Sequence, residues 1–360
     1  MPEFDIIVIG GGVVGLATAA TVSKKYKNVL LLDKNKFIAM ETSSRNSEVV
    51  HAGLYYSGMP NKNYLCIRGR QLLEEYCSSK NLDYKKIGKY VFSRSSSDLL
   101  DEIFINAVEN GATGLRKCRT SDVKYLNQWC FAQYAFFSSN TGIIDSHGLA
   151  HSLLKDLQDN NGILSLASCV TDIEFDSKYC VRFVDGNGDD QIVTSERLVN
   201  CGGLSSIEVL DYLYKDHEME NYFIKGHYFS TRLSSPVPHL LYPMPEALGL
   251  GVHLTLDLNG RVKFGPDTYH VPDVNYRQEI DANVFFKKVV SNFKISGSES
   301  LSFDYAGIRP KVKIRGEVAN DFIFLTEKDH KLNGMISLHG IDSPGLTSCL
   351  SIAEKVMSSL

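Results

Sequence analysis

One stretch near the N-terminus, residues 4–33, restricts the possible folds of this chain most strongly. The apolar run at residues 4–9 (FDIIVI) predicts a strand that is buried on both faces of a parallel sheet. Gly10, Gly12 and Gly15 follow in the spacing G-x-G-x-x-G, and the alanine-rich segment after them predicts a helix. A second apolar run, residues 29–32, ends at Asp33, 18 residues after Gly15. The order of strand, glycine turn, helix and strand predicts a βαβ unit.

The glycine turn has the properties of a dinucleotide-binding site. Gly10 permits the tight turn, Gly12 lets a pyrophosphate approach the backbone, and Gly15 lets the helix pack close to the strand. The helix start, which contains Val14, points free N–H groups and a positive dipole end at the phosphate. Asp33 stands where an acid would bind a ribose hydroxyl, which disfavours NADP. The alternative, a glycine-rich loop without a ligand, is disfavoured by the flanking strand, helix and acid.

Composition excludes several functional classes. The 360 residues are 43% apolar, which suffices for a buried core, and the formal net charge is −4. Basic residues are scattered, so we expect no nucleic-acid interface. No apolar run approaches the roughly 18 to 20 residues that span a bilayer, so we predict no integral membrane segment. A peripheral membrane contact stays open.

The N-terminus and the cysteines bear on location. Glu3 and Asp5 lie at the first predicted strand and leave no room for a signal or transit peptide. Eight widely spread cysteines without a C-x-x-C pair predict reduced thiols rather than disulfides or a metal site. The histidines show no H-x-x-H or H-E-x-x-H spacing, so we expect no metal. We therefore predict a cytoplasmic protein, with a peripheral position on the inner membrane face as a variant.

The rest of the chain predicts an interleaved architecture. Helices are predicted at residues 61–79, 98–110 and 121–126, from Asp145 or Ser146 to 157, and at the end of the chain with a first turn at 346–350. Strands are predicted at residues 88–93, 162–175, 181–184, 191–195, 222–232, 249–256 and 261–265. Residues 197–206 (RLVNCGGLSS) and 335–339 predict buried strands that return to the first sheet.

This order predicts an α/β fold. A Rossmann-like dinucleotide-binding domain (residues 1–80, 142–220 and 305–360) is interleaved with a mixed, largely antiparallel β-sheet domain for the substrate (81–141 and 221–304). A simple NAD dehydrogenase more often completes its nucleotide domain in consecutive βα units. The interleaving therefore favours FAD, which is longer and needs contacts from distant parts of the chain.

Several motifs share a known pattern. They are GGGVVGLATA at 10–19, SSRNSEVVHAGLYY at 43–56, NTGIID at 140–145, VNCGGLSS at 199–206, YPMPEALGLGVHLT at 242–255, GPD at 265–267, AGIRP at 306–310 and GIDSPGLT at 340–347. With them, the sequence resembles the L-2-hydroxyglutarate dehydrogenase (oxidase) family, within the FAD-dependent D-amino-acid oxidase-like (DAO) superfamily, over nearly the whole chain. The resemblance implies an FAD-binding domain of the GR2/DAO type.

The resemblance also implies which residues hold FAD. They are Gly10, Gly12, Val14, Gly15, Asp33, Ser43, Ser44, Arg45, Asn46, Val170, Gly202, Gly203, Gly340, Gly345, Leu346 and Thr347. The last four would place the N-terminus of the closing helix against the flavin. There the helix dipole would stabilise negative charge on the reduced ring.

Two histidines are candidates for the catalytic base. Oxidation of a 2-hydroxy acid sends the hydroxyl proton to a base and the hydride to flavin N5, and histidine is neutral near pH 7. His253 is predicted mid-strand, on one face with Gly251 and Thr255. Spacing alone favours an ordinary sheet histidine, and the resemblance reverses that preference. His51 follows the donor-rich loop and is predicted to be an acid or base or to shape the pocket, with a covalent flavin link as a minor alternative.

A dicarboxylate substrate needs cationic and hydroxyl partners. Arg309 is the first candidate, and Lys225 with Tyr228 is the second. Tyr56 is predicted to close the pocket or to pack against the flavin. Without the resemblance, a surface charge or a packed tyrosine explains each of these residues equally well.

Four positions depart from the family's pattern. Arg45 and His227 stand where glycine and glutamate are usual, Asp267 replaces an asparagine, and Pro310 follows Arg309. These departures concern the substrate more than the flavin chemistry.

The predicted function is oxidation of L-2-hydroxyglutarate to 2-oxoglutarate, with reoxidation of the flavin by quinone or oxygen. One alternative is an amine or amino-acid oxidase of the glycine or sarcosine oxidase type, since C–H oxidation beside nitrogen uses the same flavin geometry. Another is a catalytically silent flavoprotein with a redox-sensing or scaffold role.

Overall fold

A computed structural model describes residues 1–231, 237–245, 251–297 and 301–360. Its strands are β1 Glu3–Ile9, β2 Val29–Leu32, β3 Val49–Val50, β4 Tyr84–Lys85, β5 Lys89–Ser93, β6 Leu115–Cys118, β7 Tyr134–Ser138, β8 Gly142–Ile144, β9 Ile163–Ser165, β10 Cys169–Phe175, β11 Tyr179–Val184, β12 Asp190–Asn200, β13 Met219–Thr231, β14 Leu240–Pro243, β15 His253–Leu256, β16 Val262–Gly265, β17 Tyr269–Val271, β18 Leu301–Ile314, β19 Glu317–Val318, β20 Ile323–Leu325 and β21 Met335–His339. The helices are α1 Val13–Val22, α2 Pro60–Lys80, α3 Asp98–Glu109, α4 Lys124–Trp129, α5 Ser146–Asp159, α6 Ser206–Asp211, α7 Ala282–Val290, α8 Glu327–His330 and α9 Gly345–Ser359.

The first sheet has a parallel centre, with the strands in the order β9, β2, β1, β12 and β21. Ile6 and Val8 of β1 pack into a core with α1, α5 and α9, whereas Ile7 and Ile9 pack into a second core on the opposite face. Burial on both faces explains why β1 is apolar at consecutive positions. The predicted βαβ unit and the predicted returns of β12 and β21 to this sheet are confirmed.

The second sheet is mixed and largely antiparallel, in the order β19, β18, β13, β16, β15, β14, β5, β7 and β6. β13 and β18 pair along almost their whole length. The parallel pair is β14 with β5. A third, small sheet consists of β3, β8 and β4, in that order. The predicted α/β fold class, with a dinucleotide-type sheet and a largely antiparallel one, is confirmed.

Several predicted elements differ in their bounds. The strand predicted at 191–195 and the strand predicted within 197–206 form one strand, β12, because both halves pair with neighbours in the same sheet. The helix predicted at 121–126 begins only at Lys124, after a 3₁₀ turn at Thr120–Asp122. α7 was missed, although Asp281 caps it by accepting a hydrogen bond from Asn283 N. The predicted N-cap Asp145 does cap α5, accepting a hydrogen bond from His147 N.

Two predicted strands extend beyond the described residues. Residue 232, at the end of the first, and residues 249–250, at the start of the second, lie outside them, as does part of the motif at 242–255. The second strand, β15, begins at His253. Gly251 has a φ of +69°, which is incompatible with an extended strand there.

The division into two domains remains a proposal. β18 crosses the proposed boundary at residue 305 and belongs to the second sheet along its whole length. The chain returns to the first sheet at β20.

Candidate active site

A large cleft lies at the carboxyl ends of the parallel strands. The empty space within it is about 1470 Å³, including open solvent at the mouth. The residues that follow the strands line it, and so do residues of the second sheet. In open α/β sheets, ligands bind at this edge.

The glycine turn at the start of α1 forms one wall of the cleft. Gly10 has a φ of +109°, and a Cβ there would lie 2.3 Å from the Cys201 carbonyl oxygen. A Cβ on Gly15 would lie 1.8 Å from the Gly10 carbonyl oxygen. Gly15 itself lies outside the lining, so its role is to pack the helix against the turn, as predicted. The N–H groups of Gly12 and Val14 have no hydrogen-bond partner in the described ranges, and both residues line the cleft.

Asp33 lines the cleft at the end of β2. Its carboxylate accepts hydrogen bonds from Gly11 N at 2.6 Å and from Asn35 N at 2.7 Å. It therefore holds the glycine turn against β2, a structural role that the sequence did not reveal. Each carboxylate oxygen retains a further lone pair, so the predicted bond to a ribose hydroxyl remains compatible with these contacts.

The loop after β2 supplies Ser43, Arg45 and Asn46 to the lining, together with the neighbouring Thr42. Ser43 Oγ accepts a hydrogen bond from Val13 N at 3.0 Å, which ties the loop to α1. The Asn46 amide donates to the Ser43 and Thr42 carbonyls, so it shapes the loop.

Arg45 contributes a charge at this wall. Its guanidinium lies 4.1 Å from the centroid of the Tyr276 ring, and its Nε is buried without a hydrogen-bond partner in the described chain. The predicted cofactor residue Ser44 lies outside the cleft, where its hydroxyl donates to the Glu41 carbonyl.

The N-terminus of α9 forms another part of the cleft wall. Gly345, Leu346 and Thr347 line the cleft, whereas Gly340 does not. No described residue accepts a hydrogen bond from the N–H of Leu346 or of Thr347. Thr347 Oγ1 accepts from His51 N at 3.0 Å, so α9 positions the histidine backbone.

Two other predicted cofactor residues join the lining, and one does not. Gly202 and Gly203 follow β12 and contribute to the cleft wall. Val170 lies within β10, paired with Phe183, and outside the cleft.

The cleft fits FAD by its donor set. Two helix N-termini, of α1 and α9, contribute open N–H groups to it, and such groups bind anions and carbonyl oxygens. The close approach of the backbone at Gly10 leaves no room for a Cβ. The residues that would hold the cofactor are therefore Asp33, the glycine turn and the first turn of α9.

His51 also lines the cleft. Its Nε2 lies 3.3 Å from Ser343 Oγ. Burial, reinforced by the charges of Lys89 and Arg309, lowers the pKa of His51 to about 3. The ring is therefore neutral at physiological pH and has a nitrogen able to accept a proton.

His253 lines the same cleft but is almost fully buried, at 4% exposure. Its ring stacks on Tyr242 with the centroids 3.6 Å apart and the planes 8° from parallel. It begins β15 rather than standing mid-strand as predicted. The structure thus brings both candidate bases to one cavity, with His253 held in the wall.

Arg309 lies on β18 and lines the cleft. Its guanidinium makes no hydrogen bond or ion pair with any residue of the described chain. The neighbouring Asp342 is already neutralised, because it pairs with Lys62 at 2.6 Å and Lys311 at 3.6 Å. Burial alone would raise the pKa of Asp342, but Lys62, Lys311 and Arg309 outweigh it and lower the pKa. The Arg309 guanidinium is therefore available to an anionic ligand.

The other predicted substrate residues are only partly brought together. Tyr228 lines the cleft and stacks on Tyr305. Tyr56 is buried outside the lining. Lys225 also lies outside it, where Nζ donates to Asn275 at 2.6 Å and pairs with Glu279 at 3.1 Å. The Lys225 ammonium therefore already has a hydrogen-bond acceptor and a carboxylate partner within the protein.

Two departures from the family pattern compensate each other. His227 donates from its backbone N to Asp267 Oδ1 at 2.7 Å, and its Nδ1 lies 3.0 Å from the same oxygen. His227 Nε2 accepts from Glu279 N, which leaves the ring proton on Nδ1. Neither the His227 nor the Asp267 side chain lines the cleft, so these two departures leave the residues that line the cleft unchanged.

Sequence reasoning missed three residues near the histidines. Tyr242, Ser343 and Asp342 all line the cleft. Each lies within a motif quoted above, so their motif membership was the available signal. Only the fold shows that Tyr242 stacks on His253 and that Ser343 lies beside His51.

Two searches of the described residues found nothing. No helix among them is long and apolar enough to cross a bilayer. No group of three or more potential ligands that could hold a metal ion occurs within the same ranges. All eight cysteines are unpaired.

Comparisons with known proteins agree with the geometry. Residues 5–358 match the profile of the family described as DAO, FAD dependent oxidoreductase. The chain is 32% identical to a mitochondrial L-2-hydroxyglutarate dehydrogenase of Arabidopsis thaliana, over 98% of this chain and 82% of that protein. It is 30% identical to that of Homo sapiens, over 98% and 88%.

Solved structures share the fold. An FAD-bound L-alpha-glycerophosphate oxidase from Mycoplasma pneumoniae has a TM-score of 0.86 at 21% identity, covering 100% of this chain and 95% of that one. A glycine oxidase from Geobacillus kaustophilus has a TM-score of 0.77 at 15% identity, with 100% and 95% covered.

Proposed function

Because the chain belongs to the DAO family of FAD-dependent oxidoreductases, we propose that it oxidises L-2-hydroxyglutarate to 2-oxoglutarate. The relatives that match nearly its whole length are named for that reaction. The observation that carries the proposal is that a neutral histidine, His51, and the Arg309 guanidinium, which forms no ion pair with a described residue, line the same cleft.

FAD is held by the two helix N-termini in this proposal. The open N–H groups of Gly12 and Val14 bind the pyrophosphate, and Asp33 binds a ribose hydroxyl. The open N–H groups of Leu346 and Thr347 face the flavin. When bound, the cofactor accepts the hydride from the substrate carbon.

The protein's own residues bind the substrate and receive its proton. Arg309 holds a carboxylate through its planar fork of N–H donors. Neutral His51 accepts the hydroxyl proton at a ring nitrogen, and Ser343 Oγ, 3.3 Å from Nε2, orients the ring. The bound carboxylate offsets the guanidinium charge that helps to lower the pKa of His51. Substrate binding therefore strengthens the base when it is needed.

The alternative base is His253. Its stacking on Tyr242 fixes the ring in the cleft wall, which suits an orienting contact to the substrate. The two roles separate in variants: His51→Asn should lower the rate of flavin reduction, whereas His253→Asn should mainly weaken substrate binding.

Anaerobic flavin reduction tests the proposed reaction. We expect L-2-hydroxyglutarate to bleach the flavin absorbance, and glycine, sarcosine and proline to leave it unchanged. Bleaching by the amines alone would identify an amine or amino-acid oxidase. A flavin that no compound of either class reduces would identify a catalytically silent flavoprotein.

The electron acceptor and the location complete the proposal. We propose quinone or oxygen as the acceptor, which reoxidation rates with each would separate. A cytoplasmic location remains a prediction from the cysteine pattern, whereas the eukaryotic relatives are named as mitochondrial. Cell fractionation with activity staining would test it.

A further inference from the structure

A lysine without a partner is buried beside the cleft. Lys89, the first residue of β5, has a side chain with 0% exposure, and its backbone pairs with Ser138 of β7 and Leu240 of β14. Its Nζ has no hydrogen-bond partner and no carboxylate within ion-pair distance in the described part of the chain. A buried charge without a partner destabilises a fold, so its presence calls for a functional explanation.

The surroundings of Lys89 connect it to the candidate site. Nζ lies 4.4 Å from the centroid of the Tyr242 ring and 5.0 Å from that of Tyr55. Tyr242 is the ring on which His253 stacks at 3.6 Å, and both line the cleft. The Lys89 charge also acts on His51 in the cleft. The ammonium therefore lies next to the Tyr242 ring, which lines the cleft.

Lys89 differs from the other lysines near the cleft. Lys62 and Lys311 share the single carboxylate of Asp342, and Lys225 pairs with Glu279, whereas no described carboxylate lies within ion-pair distance of Lys89. Its positive charge is left for whatever occupies the cleft. A ligand with two negative charges benefits most from such a charge, because the Coulomb energy is proportional to the ligand's charge.

We propose that Lys89 is a specificity-determining residue that makes the cleft prefer dicarboxylates over monocarboxylates, acting through the Tyr242 wall while Arg309 binds one carboxylate directly. This inference rests on the proposed function, because the dicarboxylate it selects is the substrate of that reaction. It names the residue that distinguishes 2-hydroxyglutarate from shorter, singly charged 2-hydroxy acids.

The selection depends on pH. Burial lowers the pKa of Lys89 to about 7, and the nearby Cys66 partly offsets this effect. Of the groups around Lys89, burial raises the pKa of the Tyr55 and Tyr242 hydroxyls and raises that of Cys66 to about 12. These groups stay uncharged near neutrality, as does His51. An anion stabilises the ammonium, so dicarboxylate affinity should be full below pH 7 and fall as the pH rises through it.

Calorimetric titration of the FAD-loaded enzyme with glutarate and butyrate tests the inference without turnover. In Lys89→Met we expect affinity for butyrate to fall about threefold, and affinity for glutarate to fall by about the square of that factor, near tenfold. Lys89→Arg should retain the glutarate preference and move its pH dependence above the neutral range. Lys86→Met, an exposed lysine three residues away, is the matched control and should bind like the wild type.

Thermal unfolding provides an independent readout. Because Lys89→Met removes a buried charge without a partner and keeps a similar volume, we expect its unfolding temperature to rise. A lysine with only a structural role would give the opposite sign.

Four results would overturn the inference: a lower unfolding temperature of Lys89→Met, equal loss of glutarate and butyrate affinity in that variant, no glutarate binding by the wild type, or a neutral pH transition that persists in Lys89→Arg. The last result would assign the transition to a group other than Lys89. If L-2-hydroxyglutarate fails to reduce the flavin while glutarate binding responds as expected, the proposed reaction fails and the selectivity assigned to Lys89 remains.

Discussion

Replacement of Arg309 by methionine separates substrate binding from the fold. The guanidinium lines the cleft and has no partner in the described chain, so its removal leaves no buried carboxylate uncompensated. The free energy of unfolding should therefore change by less than about 0.5 kcal/mol. In the complex, a bidentate pair loses two charge-assisted hydrogen bonds of about 1.5–3 kcal/mol each. The second-order rate constant of flavin reduction should fall by roughly 10²–10⁴-fold.

Anaerobic stopped-flow absorbance at the flavin band gives this rate constant as a function of L-2-hydroxyglutarate concentration. Lys313→Met is the matched control, because Lys313 lies on β18 but outside the cleft lining. We expect the control to match the wild type, and both variants to retain FAD. The reasoning is refuted if Arg309→Met reduces its flavin at the wild-type rate and substrate concentration, or if it loses activity only through unfolding.

Three further predictions concern the cofactor wall, the base and acid stability. Asp33→Asn should weaken FAD binding at least tenfold and lower the free energy of unfolding by about 1–3 kcal/mol, because it disturbs the acceptors for Gly11 N and Asn35 N. Equilibrium dialysis measures the first effect and urea unfolding the second. An unchanged FAD affinity would contradict the role of Asp33 in binding the cofactor. His51→Asn should slow flavin reduction about 10²–10⁴-fold at wild-type FAD content, in single-turnover experiments, and a wild-type rate would exclude His51 as the base. Burial, aided by the His217 charge, lowers the pKa of His339 to about 3, so His339 takes up a proton in the unfolded chain before it does so in the folded protein as the pH falls. The free energy of unfolding contributed by this group is therefore full above about pH 6.5 and decreases by up to about 1.4 kcal/mol per pH unit below it. His339→Gln should flatten that slope in urea unfolding between pH 6 and 4, and an unchanged slope would contradict the assignment.

The dinucleotide half of the fold was readable from sequence because its constraints are local. Consecutive apolar residues in β1, the glycine spacing and the acid after β2 all lie within residues 4–33, and each reports on its immediate neighbours. The strands that rejoin the sheet, β12 and β21, were readable by the same apolar pattern. α7 was missed because its surroundings read as extended, although the cap at Asp281 was a usable signal.

The candidate site was readable only in part. His51, His253, Arg309 and Tyr228 were named from motifs, and the fold brings all four to one cleft. Lys225, named on the same grounds, is neutralised by Glu279, a contact that no local pattern encodes.

The sequence by itself determined the βαβ unit and the family, because short-range spacing and motif identity specify them. The tertiary structure alone decided which charges are available. Asp342 neutralises Lys62 from 280 positions away in sequence, and His227 and Asp267 pair across 40 positions. Whether an ionisable side chain is paired, buried or free depends on such distant neighbours. For that reason Arg309 and Lys89 became distinguishable from the other cations only in the folded chain.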